Sequence, residues 1–245
     1  MADRPAVVEV RSLSKHFGAV RAVEDVTFKI FTGETFGILG PNGSGKTTAI
    51  RMLCGLLTPT GGSATVAGRD VATEPDRVKE SIGYMSQAFG LYGDLTAEEN
   101  LRFYGGLYGL GDKLTERIAW ARERMRLDEI IGRIVSPLSG GQKQRLALGC
   151  ATLHHPPVLF LDEPTAGVDP GARRLFWSII RGLAADGITI IVTTHYMDEA
   201  ERFDRLAFLS RGRLTAEGTP AEVRASFGAG KTLEDIFVEL QEQNA

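Results

Sequence analysis

Gly40-Pro41-Asn42-Gly43-Ser44-Gly45-Lys46-Thr47 fits the pattern G-x-x-x-x-G-K-[ST]. The short apolar run Thr35-Phe36-Gly37-Ile38-Leu39 leads straight into it, and Ile50, Leu53 and Leu57 follow at helical spacing over Lys46 to Leu57. A strand, a glycine-rich turn and a helix in that order make a phosphate cradle. The glycines let successive N–H groups point inward around an anion, and the helix start adds partial positive charge. In such a loop Lys46 reaches the β- and γ-phosphates and the Thr47 hydroxyl ligates Mg²⁺. A glycine-rich turn with no ligand is the alternative, and the strand and helix on either side argue against it.

Outward from the loop, β pattern dominates first. Val7 to Arg11 alternates loosely, and Val26, Phe28 and Ile30 recur at period two. Ser63 to Val71 reads as a hairpin turning at Gly68-Arg69-Asp70. From Thr96 the pattern turns helical: Thr96 and Glu99 have the form of a capping box, and Leu114, Ile118, Ala121 and Met125 share a helix face. After Pro156-Pro157 the α/β alternation returns. Val158 to Leu161 is an apolar strand of the kind buried on both faces, Pro170 to Ala185 is helical and Ile188 to Val192 is a second apolar strand. Met197 to Phe203 reads as a helix, Leu206 to Leu209 and Arg213 to Ala216 as strands, and Thr219-Pro220 as a capped helix start. Leu233 to Leu240 is a last amphipathic segment. The layout is an α/β core interrupted by a helical insert. No internal repeat or low-complexity segment is seen.

Asp162 and Glu163 close the apolar strand, where α/β sheets bind ligands. Adjacent strands of a parallel sheet would bring this pair to the edge that holds the loop. Asp162 suits a water-mediated Mg²⁺ contact, and Glu163 suits orientation of an attacking water. Leu138-Ser139-Gly140-Gly141-Gln142 opens a helix with a second ready anion site. One triphosphate has no use for two such sites in one chain, whereas a head-to-tail pair would use both. A plain N-cap remains the alternative reading of the spacing.

The chain has 245 residues, 43% hydrophobic and 24% charged, with a net charge of −3. That composition excludes disorder for most of its length, and no basic footprint suggests nucleic acid as a partner. Mean hydropathy is −0.06, and no apolar run approaches a membrane span. Met1 to Val10 lacks the regions of a signal peptide. Cys54 and Cys150 sit in apolar helical patterns and read as buried thiols of a reducing, cytoplasmic compartment. His16, His154 and His155 match no motif and read as structural.

Together these motifs resemble the nucleotide-binding subunit of an ATP-binding-cassette (ABC) transporter over about residues 7 to 226. GPNGSGKT matches the Walker A loop, LSGGQ the family signature, and VLFLDE the Walker B strand with its catalytic Glu. Gln87 stands at the Q-loop, Ala166 to Asp169 at the D-loop and His195 at the H-loop; Phe17 stands where most members have Tyr. The resemblance implies an α/β, P-loop NTPase (RecA-like) core with an antiparallel β subdomain and an inserted α-helical subdomain. Its pieces are 1–87 and 157–227 for the core, 88–156 for the helices and 228–245 for a tail.

The resemblance also implies roles. Phe17 stacks on adenine, while Gly40, Pro41, Asn42, Gly43, Ser44, Gly45, Lys46, Thr47 and Thr48 hold the phosphates. Thr47, Gln87 and Asp162 serve Mg²⁺. Glu163 is the general base and His195 contacts the γ-phosphate. Ser139 and Gly141 act across a dimer, with Asp169 linking its two sites, and Gly140 and Gln142 of the same motif join the nucleotide-binding set. The expected partners are a second copy or a homologous cassette and an integral-membrane permease, and the expected place is the inner face of the cell membrane. Leu91 to Asn100, Thr194 to Glu201 and Leu233 to Phe237 resemble ATPase subunits of drug, lipid and polysaccharide exporters. An importer subunit or a soluble ABC ATPase is the alternative. The single cassette with no CxxC and no basic linker speaks against the latter.

Overall fold

The structure is a computed structural model, and it describes residues 4–228 and 230–242. Residues 1–3 of the N-terminal stretch and 243–245 of the expected tail lie outside the described residues.

Strands β1 (Ala6–Phe17) and β2 (Val20–Phe31) form an antiparallel hairpin, from Phe17↔Val20 at its tip to Ala6↔Phe31. Both run longer than the loose alternation predicts, because the pairing extends past the apolar residues. β3 (Thr35–Leu39) then feeds the glycine loop and α1 (Lys46–Leu53). This helix stops short of the expected Leu57. Gly55 takes φ 66, and the N–H groups of Leu56 and Leu57 fold back onto the Arg51 carbonyl, at 2.9 and 3.1 Å, which closes the helix end. In the next hairpin β4 (Gly61–Val66) pairs with β5 (Arg69–Asp70). The turn lies at Ala67-Gly68, where φ is 49 and 75, so Arg69 and Asp70 are paired strand residues, one step past the expected turn. A short α2 (Pro75–Glu80) buries only Val78, and so leaves no apolar period to read.

After β6 (Ile82–Met85) come three helices, α3 (Ala97–Leu107), α4 (Leu114–Arg124) and α5 (Gly140–Thr152). The boxes at Thr96/Glu99 and Ser139/Gln142 are both fully formed, each satisfying two orphan N–H groups. β7 (Val158–Asp162), α6 (Pro170–Ala185) and β8 (Thr189–Thr194) follow the expected pattern. Helix α7 (Met197–Ala200) is shorter than expected. Phe203 leaves it to pack its ring on Gly37, where any β-carbon would sit 2.2 Å from the ring. β9 (Arg205–Ser210), β10 (Arg213–Gly218), α8 (Pro220–Phe227) and α9 (Leu233–Glu242) complete the described elements.

The strands make two sheets. One has the order β2-β1-β4-β5 and is antiparallel. The other has the order β10-β9-β3-β8-β7-β6, parallel except for β10. Here the sequence expectation needs correction: β3 and β7 are not neighbours. β8 lies between them, and the loop and the carboxylate pair meet across its end.

Side-chain alternation on the large sheet divides the core. Phe36, Ile38, Val158, Phe160 and Ile191 face α1 and the antiparallel sheet. Leu39, Leu159, Leu161, Ile190 and Val192 face the other way, into one cluster with Leu101, Ile118 and Ala121 of the three-helix insert and with α5 and α6. The insert therefore has no core separate from the sheet. Cys54 and Cys150 are free and buried, and burial pushes both thiols up. No helix among the described residues is long and apolar enough to cross a membrane.

His154 is structural, as its sequence context suggests. Its ring stacks on Tyr108 at 3.9 Å, Nε2 contacts the Ile82 carbonyl at 3.0 Å, and burial pulls its pKa down to about 4. The folded chain thus refuses a proton that the unfolded chain takes below about pH 6.5. Stability is full above that pH and falls as pH drops toward 4, by about 2–3 kcal/mol in the limit. Urea midpoints between pH 7.5 and 5 should fall more steeply for the parent than for His154→Phe, and equal slopes would remove His154 as the cause.

Candidate active site

The glycine loop runs from the end of β3 into α1. Gly45, the residue before the helix, has φ 104 and no side-chain cap, and a β-carbon there would meet the Ala22 carbonyl at 2.4 Å. The first-turn N–H groups are thus left for a ligand rather than for a capping side chain. Among the described residues buried Ser44 Oγ has no hydrogen-bond partner, a need that a phosphate oxygen would meet.

Lys46 is 5% exposed. Its Nζ donates to the carbonyls of Gly40 (2.8 Å) and Pro41 (3.1 Å) and lies 3.8 Å from Glu163 Oε1. Burial pulls its pKa down, and Glu163 and Asp162 oppose that pull. One buried cation therefore faces two carboxylates across the loop.

Asp162 Oδ1 accepts from Thr193 Oγ1 at 2.6 Å and from Thr47 Oγ1 at 3.4 Å. The backbone N–H of Glu163 reaches both the carbonyl and the hydroxyl of Thr193, at 3.1 and 3.0 Å. Glu163 itself has φ 48, a left-handed conformation that a non-glycine residue adopts at a cost of about 1–3 kcal/mol. This kink ends β7 and turns the carboxylate toward Lys46 and His195. His195 Nδ1 lies 3.3 Å from Glu163 Oε2. The contact lacks hydrogen-bond alignment, so that buried nitrogen has no partner.

Of these groups Lys46, Thr47 and Glu163 border a cavity of about 330 Å³, lined also by Val20, Asn42 and Arg211 among others. Phe17 is 49% exposed, pairs in the hairpin with Val20 of the cavity wall and has Lys15 Nζ 5.2 Å from its ring centre. Gln87 is exposed on the turn after β6, at the same edge of the sheet. The oxygens of Thr47, Gln87 and Asp162 are hard donors suited to Mg²⁺. Among the described residues no group of three or more His, Cys, Asp or Glu could hold a metal. An ion held here would take much of its shell from phosphate and water, as Mg²⁺ commonly does.

The second glycine motif lies apart. None of Ser139, Gly140, Gly141 and Gln142 lines the cavity. Ser139 and Gly140 are exposed at the tip of α5, where a β-carbon on Gly140 would meet nothing within 4 Å. Gly141 is different: its β-carbon would sit 2.5 Å from Ala172 Cβ on α6. Asp169 caps that same helix, accepting from the Ala172 N–H at 3.0 Å. Packing within the chain thus explains Gly141 and gives Asp169 a local task, while nothing among the described residues explains Gly140.

The structure accordingly gathers the expected residues into two groups: 40–48 with Asp162, Glu163 and His195, and 139–142 with Asp169. Sequence reasoning missed Thr193, which donates to the Asp162 carboxylate and accepts the Glu163 backbone N–H. Its signal was the hydroxyl pair Thr193-Thr194 closing an apolar run. It also missed Arg21 and Arg211 in the cavity wall, which no motif marks.

A family model described as "ABC transporter" matches residues 23–166. The probable multidrug ABC transporter ATP-binding protein YbhF of Escherichia coli K12 is 46% identical over 239 residues, 96% of this chain. The chain spans only 41% of that relative's length. The Nod factor export ATP-binding protein I of Rhizobium sp. strain N33 is 43% identical, covering 87% of this chain and 71% of its own. Among solved structures, an ATP-binding subunit of an ABC transporter superposes with a TM-score of 0.85 at 34% identity, over 96% of this chain and 99% of that one. The dimeric post-hydrolysis state of the cassette MJ0796, bound to ADP and Pi, gives 0.78 at 27% identity, over 86% and 98%.

Proposed function

This chain belongs to the ABC transporter family of ATP-binding proteins, and on that premise we propose that it hydrolyses ATP as a pair of cassettes and drives export through a separate membrane permease. One observation carries the reading: Lys46, Glu163 and His195 converge at the carboxyl ends of parallel strands, beside a glycine loop whose helix start has no other cap.

The chemistry is divided among these residues. The loop 40–48 and Lys46 bind the phosphates, and Phe17 stacks on the base. Thr47, Gln87 and Asp162 would hold Mg²⁺, which would supply charge for the phosphate oxygens. Glu163 accepts a proton from the attacking water, and its left-handed backbone holds the carboxylate ready. His195 is positioned by β8 to contact the γ-phosphate. The exposed Ser139 and Gly140 tip serves a second molecule, because it has no part in its own chain's cavity. Replacing Lys46 with Ala removes a charged donor worth about 1.5–3 kcal/mol, a roughly ten- to hundredfold loss of affinity for ATP. Equilibrium titration with nucleotide checks this, and retained tight binding contradicts the loop's role.

A partner surface lies on the helical stretch 88–156, which we assign as a subdomain. Tyr92 (47% exposed), Phe103 (39%) and Leu107 (66%) form an open apolar patch just after Gln87. Tyr92 and Phe103 meet edge to face at 4.6 Å. Buried Asn100 fixes the Tyr92 backbone, accepting from its N–H at 2.9 Å and donating to its carbonyl at 3.0 Å. A rigidly presented aromatic patch suits an apolar helix of the permease at the inner membrane face. The double variant Tyr92→Ser, Phe103→Ser should keep its basal ATPase rate and lose stimulation by the permease. Undiminished stimulation would place the contact elsewhere.

Relatives named for multidrug transport and Nod factor export favour export as the direction.

A further inference from the structure

Glu199 lies outside the cavity and is completely buried, at 0% exposure. Among the described residues it forms no ion pair; three neutral donors satisfy it instead. Oε1 accepts from Thr165 Oγ1 at 2.5 Å and from Trp177 Nε1 at 3.0 Å, and Oε2 accepts from Thr194 Oγ1 at 2.8 Å. Thr165, Trp177 and Thr194 are each 1% exposed. A carboxylate buried without a cation is costly, and an apolar side chain of similar volume would fill the space more cheaply.

The placement of the donors supplies a reason. Thr165 follows Glu163 by two residues and precedes the Asp169 cap of α6. Thr194 precedes His195, and its hydroxyl also accepts the Tyr196 N–H at 3.0 Å. The neighbouring Pro164 carbonyl accepts from buried Gln144 of α5 at 2.6 Å. One carboxylate therefore ties the segment carrying Glu163 to the strand end carrying His195, and that segment is tied in turn to the helix headed by Ser139.

We propose that Glu199 is a positioning residue for hydrolysis, fixing the 163–169 segment and the end of β8 in one register so that Glu163 and His195 converge on the same side of the site that receives the phosphates. This rests on the reading of the site as an ATPase. Glu199 does not line the cavity beside the glycine loop; it acts through Thr165 and Thr194. Trp177, on α6, provides the internal control, since it donates to the same carboxylate without belonging to either catalytic segment.

The test is steady-state ATP hydrolysis with Mg²⁺ by the purified chain and by Glu199→Gln, Thr165→Val and Trp177→Phe, with melting temperatures measured alongside. Glu199→Gln and Thr165→Val should each lower kcat by roughly tenfold or more with KM for ATP nearly unchanged. Trp177→Phe should lower the melting temperature while keeping kcat within about twofold. Unchanged kcat in Thr165→Val, or an equal fall in Trp177→Phe, overturns the proposal and leaves the carboxylate a packing element. Should Glu199→Gln fail to fold, the pair Thr165→Val and Trp177→Phe still decides. Glu163→Gln is run in parallel: if it hydrolyses ATP as fast as the parent, the assignment of the site has failed and takes this inference with it.

Discussion

Glu163→Gln is expected to bind ATP as tightly as the parent chain and to turn it over about a hundred- to ten-thousandfold more slowly, the range a positioned general base contributes. The substitution is close to isosteric. Its backbone N–H keeps both contacts to Thr193, so the kink that ends β7 should persist. What is lost is the charge 3.8 Å from Lys46 Nζ and 3.3 Å from His195 Nδ1, and with it the acceptor for a proton from water. Lys46 stays in place, since its hydrogen bonds go to the Gly40 and Pro41 carbonyls, and nucleotide affinity should survive. A chain that binds ATP without cleaving it should accumulate as a dimer, seen by size-exclusion chromatography with ATP and Mg²⁺. Unchanged turnover would remove Glu163 from the role of base.

The reason so much of this site was legible lies in backbone geometry. A phosphate loop needs glycines at fixed spacing between a strand and a helix, and 40–47 advertises all three parts. Helix starts were equally plain, because Thr96, Ser139 and Thr219 each carry the acid or amide three residues on that completes a box. Helix ends and turns read less well. The helix after Lys46 stops at Leu53 through backbone hydrogen bonds that no side chain announces. The hairpin at 67–68 uses a left-handed Ala67 where glycine or asparagine would have marked it. Strand order was out of reach, because apolar runs buried on both faces look alike: nothing in Ile190-Ile191-Val192 says that it passes between β3 and β7. That one fact hid Thr193, and the same strand's Thr194 hid Glu199. The two signature glycines look equivalent in sequence and differ in three dimensions, since only Gly141 is pressed against Ala172.

Ser139→Arg tests whether the site is shared between two molecules, and its expected effect is at least a hundredfold loss of hydrolysis, comparable to removal of a donor from a preorganised anion site. The side chain of Ser139 caps α5 by accepting the Gln142 N–H at 3.3 Å, so any substitution also costs roughly 0.5–2 kcal/mol of local stability. Ser139→Ala removes the same capping hydroxyl without adding bulk or charge, so the difference between the two variants isolates the steric and charge block. The arginine adds bulk and charge at an exposed helix tip, where a β-carbon added to the adjacent Gly140 would meet nothing within 4 Å. It should therefore spare ATP binding by the monomer, because the cavity around Lys46 contains no residue from 139–142. In the Glu163→Gln background it should abolish the ATP-dependent dimer. Mixing Ser139→Arg with Lys46→Ala separates the two geometries completely. If each triphosphate is gripped by one molecule's loop and the other's helix tip, a mixed dimer contains one site with both parts intact, and the inactive chains should recover activity together. If both parts serve the same chain's nucleotide, every site in the mixture carries a lesion and no activity returns. Recovery on mixing, measured as ATP hydrolysis against the ratio of the two variants, requires the shared site; a flat response rules it out.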